Sequence, residues 1–358
     1  MVKRLKITIM VGNGFDMALG IKSSYTEFYK WYCKQPSPNK DIDKLKEDIE
    51  NENTWADLEL GLGTYTKKFD QESVDKYIEC YEDIQNEIIT YLGIQVDEFN
   101  IDAYSQTMID SFSHSIWNFY DEVSDQEKNA IKDQINSVLT ENKEFTFISF
   151  NYTNALEQIL ERIQDVNLST WKYNSNVYAY RLNKNVIHVH GTTTDYPILG
   201  VNDDSQITNR ALLSSPQFRE IVIKPETVNE LGKLWHQQAE AQISASRVVC
   251  IMGMSLGKSD ARWWRKLVKW LKESQSRHLI IYQYEKDPPN GISAIKQIRY
   301  VNGAKDKFLS YSDISDEEKK AIKTRIHVVI NTQKFLRLPI EENDKIDVLN
   351  EEKSLVKA

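Results

Sequence analysis

Four short clusters hold most of the residues in this chain that could do chemistry. The first is Gly12-Asn13-Gly14-Phe15-Asp16. Glycines directly after a strand let backbone come close to a phosphate and leave amides free to bind it, so Gly12, Asn13, Gly14, Phe15 and Asp16 are candidate nucleotide-binding residues. The spacing is neither Gly-x-Gly-x-x-Gly nor a Gly-Lys-Ser/Thr phosphate loop, and taken alone it equally describes a tight strand-to-helix turn. The second cluster, Phe150-Asn151-Tyr152-Thr153-Asn154, puts an amide where it could hold a ribose hydroxyl or a water. Asn154 reads as a helix cap, whereas Asn151 lies outside the cap position and is the functional candidate, with Tyr152 beside it. The third, His188-Val189-His190-Gly191, has two histidines whose spacing on a strand would turn them to one side. No third ligand is spaced to complete a metal site. His190, next to Gly191, is better placed as a general base, because imidazole titrates near neutrality. The fourth is Gly253-Met254-Ser255-Leu256-Gly257 followed by Asp260. Gly253 and Ser255 could meet a phosphate, and Asp260 reads either as a pocket residue or as a cap.

Each cluster follows a segment that reads as a strand. Leu5–Val11, Phe145–Phe150, Asn185–His190, Arg247–Met252, His278–Tyr282 and Ile326–Ile330 are short apolar runs rich in β-branched residues. Between them lie helical patterns. Asn154 to Glu157 has the form of a capping box, and Ser259-Asp260 precedes a helix with Trp264, Leu267, Val268 and Leu271 on one face. Buried runs alternating with helices predict a parallel sheet flanked by helices, with ligands at the carboxyl ends of the strands. Residues 24–141 differ: they are acidic, aromatic and almost free of strand signals, with helical spacing at Trp55-Leu58-Leu62-Tyr65 and Tyr77-Tyr81-Ile84-Ile88. The expected organisation is an α/β core formed by 1–23 and 142–340, a helical insertion over 24–141, and a charged tail over 341–358.

The composition, 41% hydrophobic and 27% charged, is that of a globular protein. A net charge of −8 argues against a broad nucleic-acid surface and leaves room for one local anion pocket. Cys33, Cys80 and Cys250 are scattered, which gives neither a zinc site nor a disulfide framework and suits a reducing compartment. The basic, then apolar N-terminus reads as a buried strand rather than a secretory signal, because it runs straight into Gly-Asn-Gly. No apolar stretch is long enough for a membrane helix.

In order along the chain, the glycine loop, Asn151, His190-Gly191 and the Gly253-x-Ser255 loop resemble the sirtuin-like superfamily. More narrowly, Gly-Asn-Gly-Phe-Asp, Phe-Asn-Tyr-Thr, the His-x-His-Gly run and Trp55-Ala56-Asp57-Leu58-Glu59 look like the AbiH family of bacterial abortive-infection proteins. The resemblance implies a sirtuin-like Rossmann-type core, NAD as ligand or substrate, no required metal, and a cytoplasmic place in a bacterial cell. By the same resemblance Asn151 would orient the water or ribose and His190 would act as the base in cleavage of the nicotinamide–ribose bond. The sequence departs from true sirtuins in lacking their zinc-binding cysteines and the Ala-Gly and Pro-Asp-Phe-Arg features of the first loop. Trp55 and Glu59 either close over the pocket or sit as a buried indole and a solvated carboxylate.

Three functions are expected to compete. The first is an NAD glycohydrolase acting against phage. The second is a sensor that binds NAD or ADP-ribose without turnover and signals to a partner or phage trigger. The third is a metal-dependent nuclease using His188 and His190. The aromatic helical block could also supply a homo-oligomer interface.

Overall fold

A computed structural model describes residues 4–288 and 293–338; the expected tail over 341–358 lies outside them. Seven strands form one sheet: β1 (Arg4–Val11), β2 (Asn142–Ser149), β3 (Asn167–Tyr173), β4 (Asn176–His188), β5 (Ser246–Met252), β6 (His278–Gln283) and β7 (Ile326–Ile330). Their spatial order is β3-β4-β2-β1-β5-β6-β7. Only the β3–β4 pair is antiparallel. Leaving out β3, the parallel strands stand third, second, first, fourth, fifth and sixth in chain order, the arrangement of a doubly wound nucleotide-binding sheet. The order reverses between β1 and β5, so ligands of such folds gather above the ends of those two strands.

The strands form because both faces of the sheet are covered. On β1, Ile7, Ile9 and Val11 enter one apolar core, while Met10 enters the other. Val248, Cys250 and Met252 of β5 join the first core, and Val249 and Ile251 the second. This period-two split requires apolar residues on both faces, which is why these strands read as nearly continuous apolar runs.

The expected strand at Asn185–His190 is the end of a longer one: β4 begins at Asn176 and finishes at His188. Its first part pairs with β3 through a hairpin whose turn residues, Asn174 and Ser175, have φ of 45° and 64°. This hairpin extends the parallel sheet at one edge.

Among the described residues, the chain between β1 and β2 is helical, in two parts with different partners. Helices Tyr25–Tyr32, Lys40–Asn51, Leu58–Tyr65 and Val74–Glu98 build a third core of their own, which also takes in Leu199, Val201, Phe218 and Val222. Helices Gln106–Trp117 and Asp125–Asn136 instead cover the sheet, placing Ile109, Phe112, Ile116, Ile131 and Ile135 in the first core. The Trp55, Leu58, Leu62, Tyr65 and Tyr77, Tyr81, Ile84, Ile88 stripes are buried as their spacing implied. No helix among the described residues is long and apolar enough to cross a membrane.

Candidate functional site

A cavity of about 750 Å³ lies over the carboxyl ends of the strands. The loops after β1, β2, β5, β6 and β7 line it, together with His190 just beyond β4 and, from the helical part, Ser23 to Thr26, Asp57 and Glu59. Its size is that of a small-molecule or cofactor site.

At the reversal point the first and fourth clusters pack directly on each other. Gly12 N–H donates to the Met252 carbonyl at 2.9 Å, and Gly14 N–H donates to the Gly253 carbonyl at 2.7 Å. A Cβ on Gly14 would stand 2.8 Å from Gly253 Cα, and one on Gly253, whose φ is +70°, would stand 2.3 Å from the Phe15 nitrogen. The glycines are therefore required by loop-against-loop contact, and the Gly12 and Gly14 amides are spent on it. Gly253→Ala is expected to cost more than about 2 kcal/mol by combining backbone strain with this clash; a melting temperature equal to wild type would refute it. Asn13 donates its side-chain amide to the Ser23 carbonyl at 2.9 Å, tying the helical part to the loop.

Asp16 lies under Asn151. Its carboxylate accepts from Asn151 Nδ2 at 2.7 Å and from Thr153 Oγ1 at 2.6 Å. Burial raises its pKa to about 7 against both of these hydrogen bonds. Asn151 also donates to the Gly12 carbonyl at 3.2 Å, and its Oδ1 is buried with no partner. That orphan acceptor belongs to a side chain lining the cavity. A buried acceptor is costly to leave unpaired, so it points to a bound donor such as a hydroxyl or a water.

The two histidines have separate partners. The strand ends at His188, so its alternation does not carry on to His190. His188 Nδ1 meets the Asn151 carbonyl at 3.0 Å, and its Nε2 pairs with Glu157. Burial works against protonation of His188, but Glu157 outweighs it and the pKa is raised. The expected capping box is thereby replaced: Asn154 makes no side-chain cap bond, and Glu157 serves His188 instead. His190 is buried, with both ring nitrogens 3.4 Å from Lys224 Nζ. Burial, and then the Lys224 charge, push its pKa well down, so it is a neutral imidazole at physiological pH.

Lys224 is fully buried and paired with Glu59, whose carboxylate also accepts from Tyr152 Oη at 3.4 Å. Burial raises the Glu59 pKa, and Lys224 opposes that rise. Asp260 stands at the N-cap position of helix Ala261–Glu273 but makes no cap bond. Its surface opens onto the cavity, and burial followed by repulsion from Glu59 raises its pKa to about 7. The loop Ile198–Asp203 backs this wall rather than lining it: Asn202 donates to the Ser259 carbonyl and holds the turn before Asp260.

Asp260 makes a stability test possible. Its folded pKa of about 7 exceeds the unfolded value, so the folded state keeps a proton that the unfolded chain releases between about pH 4 and 7. The stabilisation is complete below that window and is lost as pH rises through it. Asp260→Asn is therefore expected to leave the melting temperature nearly unchanged at pH 4.5 and to raise it at pH 8. The gain is bounded by roughly 4 kcal/mol for a three-unit shift. Equal effects at both pH values would contradict this.

Most of the expected residues meet here: Gly12, Asn13, Gly14, Asp16, Asn151, Tyr152, His190, Gly253, Ser255 and Asp260 all line the cavity, as does Glu59. Two stand elsewhere. Phe15 points into the core against Phe112, since helix Asn13–Ala18 must bury one face. Gly191, with φ +70°, makes a turn in which a Cβ would lie 2.2 Å from the Tyr196 carbonyl oxygen. Trp55 belongs to the helical core, packed on Tyr65. Lys224 was missed, although a lysine within Ile221-Val222-Ile223-Lys224-Pro225 is a charge inside an apolar run. Arg337 also lines the cavity and carries no sequence signal. Among the described residues, no group of three or more histidine, cysteine or acidic side chains is placed to hold a metal ion.

Sheet order and site together define a doubly wound α/β protein with a carboxylate-rich cavity at its reversal point. Residues 8–282 match the family described as Bacteriophage abortive infection AbiH, and the chain belongs to that family. No curated protein matches the sequence.

Proposed function

We propose that this AbiH protein has a sirtuin-like core and acts in abortive infection by hydrolysing NAD at the nicotinamide–ribose bond. The observation that carries the reading is the unpartnered, buried Asn151 Oδ1, on a side chain held by Asp16 and lining a cavity whose walls also hold Glu59, Asp57 and Asp260. Loss of nicotinamide leaves positive charge on the ribose. Carboxylates near that charge stabilise it only as it develops, which is how a preformed site lowers a barrier. Asn151 would fix a ribose hydroxyl or the attacking water, and neutral His190 would accept a hydrogen bond from that water, its proton passing to solvent. Asp16 and the His188–Glu157 pair are positioning groups: one holds the Asn151 amide and the other its carbonyl.

Purified protein incubated with NAD is expected to release nicotinamide and ADP-ribose, followed by chromatography. Saturable NAD binding with no nicotinamide release would instead establish a sensor.

A further inference from the structure

The cavity's acids and its lining cation are set apart, although Glu59 is paired with Lys224 and Asp16 and Asp260 titrate at about 7. Asp16, Asp57, Glu59 and Asp260 line it near the ends of β1 and β5, whereas Arg337, beyond β7, is the only lysine or arginine lining it among the described residues. The glycine-loop amides that a phosphate would seek are already bonded to Met252 and Gly253. A phosphate placed there would also meet the acids. At the other end, polar neighbours of Arg337 are occupied. Asn331 exchanges hydrogen bonds with the Glu285 backbone, and Thr332 donates to Glu122. Glu122, whose charge acts on Arg337, accepts from the Gln333 amide at 2.8 Å and the Phe335 amide at 3.3 Å. No hydrogen bond or ion pair to the Arg337 guanidinium is present among the described residues. Burial lowers its pKa, and Glu122 opposes that only through its charge, so the guanidinium is held partly out of water with no direct partner. Such a cation is stable beside a cavity that receives an anion.

We infer that Arg337 is the anion-binding residue of the cavity, taking the pyrophosphate of a dinucleotide whose reacting ribose lies among the carboxylates. This rests on the nucleotide reading above. β1 and β7 are three strand spacings apart, roughly 14 Å at the backbone, and the arginine side chain shortens that span from one end. The remainder suits a pyrophosphate and ribose within one dinucleotide, and it turns the ligand so that anion meets cation and developing positive charge meets carboxylate.

Binding is tested by calorimetry on the full chain and on Arg337→Gln and Arg337→Lys, with ADP-ribose, nicotinamide riboside and inorganic pyrophosphate as probes. Arg337→Gln is expected to weaken ADP-ribose and pyrophosphate by at least tenfold and nicotinamide riboside by less than twofold, with Arg337→Lys in between. Its melting temperature is expected to match or exceed wild type, because an unpaired charge is removed. ADP-ribose affinity within twofold of wild type, or equal losses for the phosphate-free riboside, overturns the assignment. If no nucleoside or nucleotide binds the wild type, the function proposed above fails. Pyrophosphate then decides separately: binding lost in Arg337→Gln upholds the anion site, and no binding rejects it.

Discussion

Lys224→Ala is expected to destabilise the protein by about 3–5 kcal/mol, the cost typical of breaking a buried ion pair by removing one partner. Lys224 is fully buried, and its partner Glu59 is buried too. Without the ammonium, Glu59 must either hold a desolvated charge near Asp57 and Asp260 or take up a proton. The deficit is therefore expected to be largest above neutrality and to shrink as pH falls toward the unfolded glutamate's pKa, near ~4.3, where the unfolded chain protonates as well. Adding Glu59→Gln is expected to recover much of the loss. Urea denaturation of the two single variants and the double variant at pH 5 and 8 measures the coupling. A loss below about 1 kcal/mol at pH 8, or additive effects in the double variant, would show that the pair is not what stabilises this wall.

The second large effect concerns turnover. Asn151→Ala is expected to lower the rate of nicotinamide release from NAD by roughly 10²–10³-fold, as for removal of one preorganised polar group aimed at a transition state. The fold is expected to survive, since Asp16 keeps Thr153 as a donor and can hold a proton near neutral pH. Glu157→Gln provides a contrast. It weakens the clamp on His188 and so acts on Asn151 indirectly. It is expected to give a milder loss of rate with a changed pH profile. Wild-type turnover in folded Asn151→Ala would remove this residue from the chemistry.

Much of this architecture was readable because most of the parallel strands are buried on both faces and so appear as apolar runs ending at glycine or an amide. β1, β2, β5, β6 and β7 all obey that rule. The β3–β4 hairpin does not. Val177 is 63% exposed and Tyr173 37%, so the hairpin has no buried run, and its turn uses Asn174-Ser175 where glycine would have signalled the positive φ. Asn154 to Glu157 shows another limit, since a local capping pattern lost its acid to His188 from a distant strand. The same holds for charges. Asp16, Asn151 and Asp260 sit in recognisable motifs just after strands, but Lys224 and Arg337 acquire their roles only when segments distant in sequence close around one space.

The long excursion between β1 and β2 also bears on how the protein is made. β1 is synthesised before both of its neighbours in the sheet, β2, starting at Asn142, and β5, ending at Met252. At the usual ~5–20 residues per second, about 240 further residues take roughly 12–50 s to synthesise, and through that interval one edge of this buried strand has no partner. The cavity also needs Gly253 and Asp260. A ribosome halted before Asp260 therefore leaves a fragment in which this cavity lacks part of its wall.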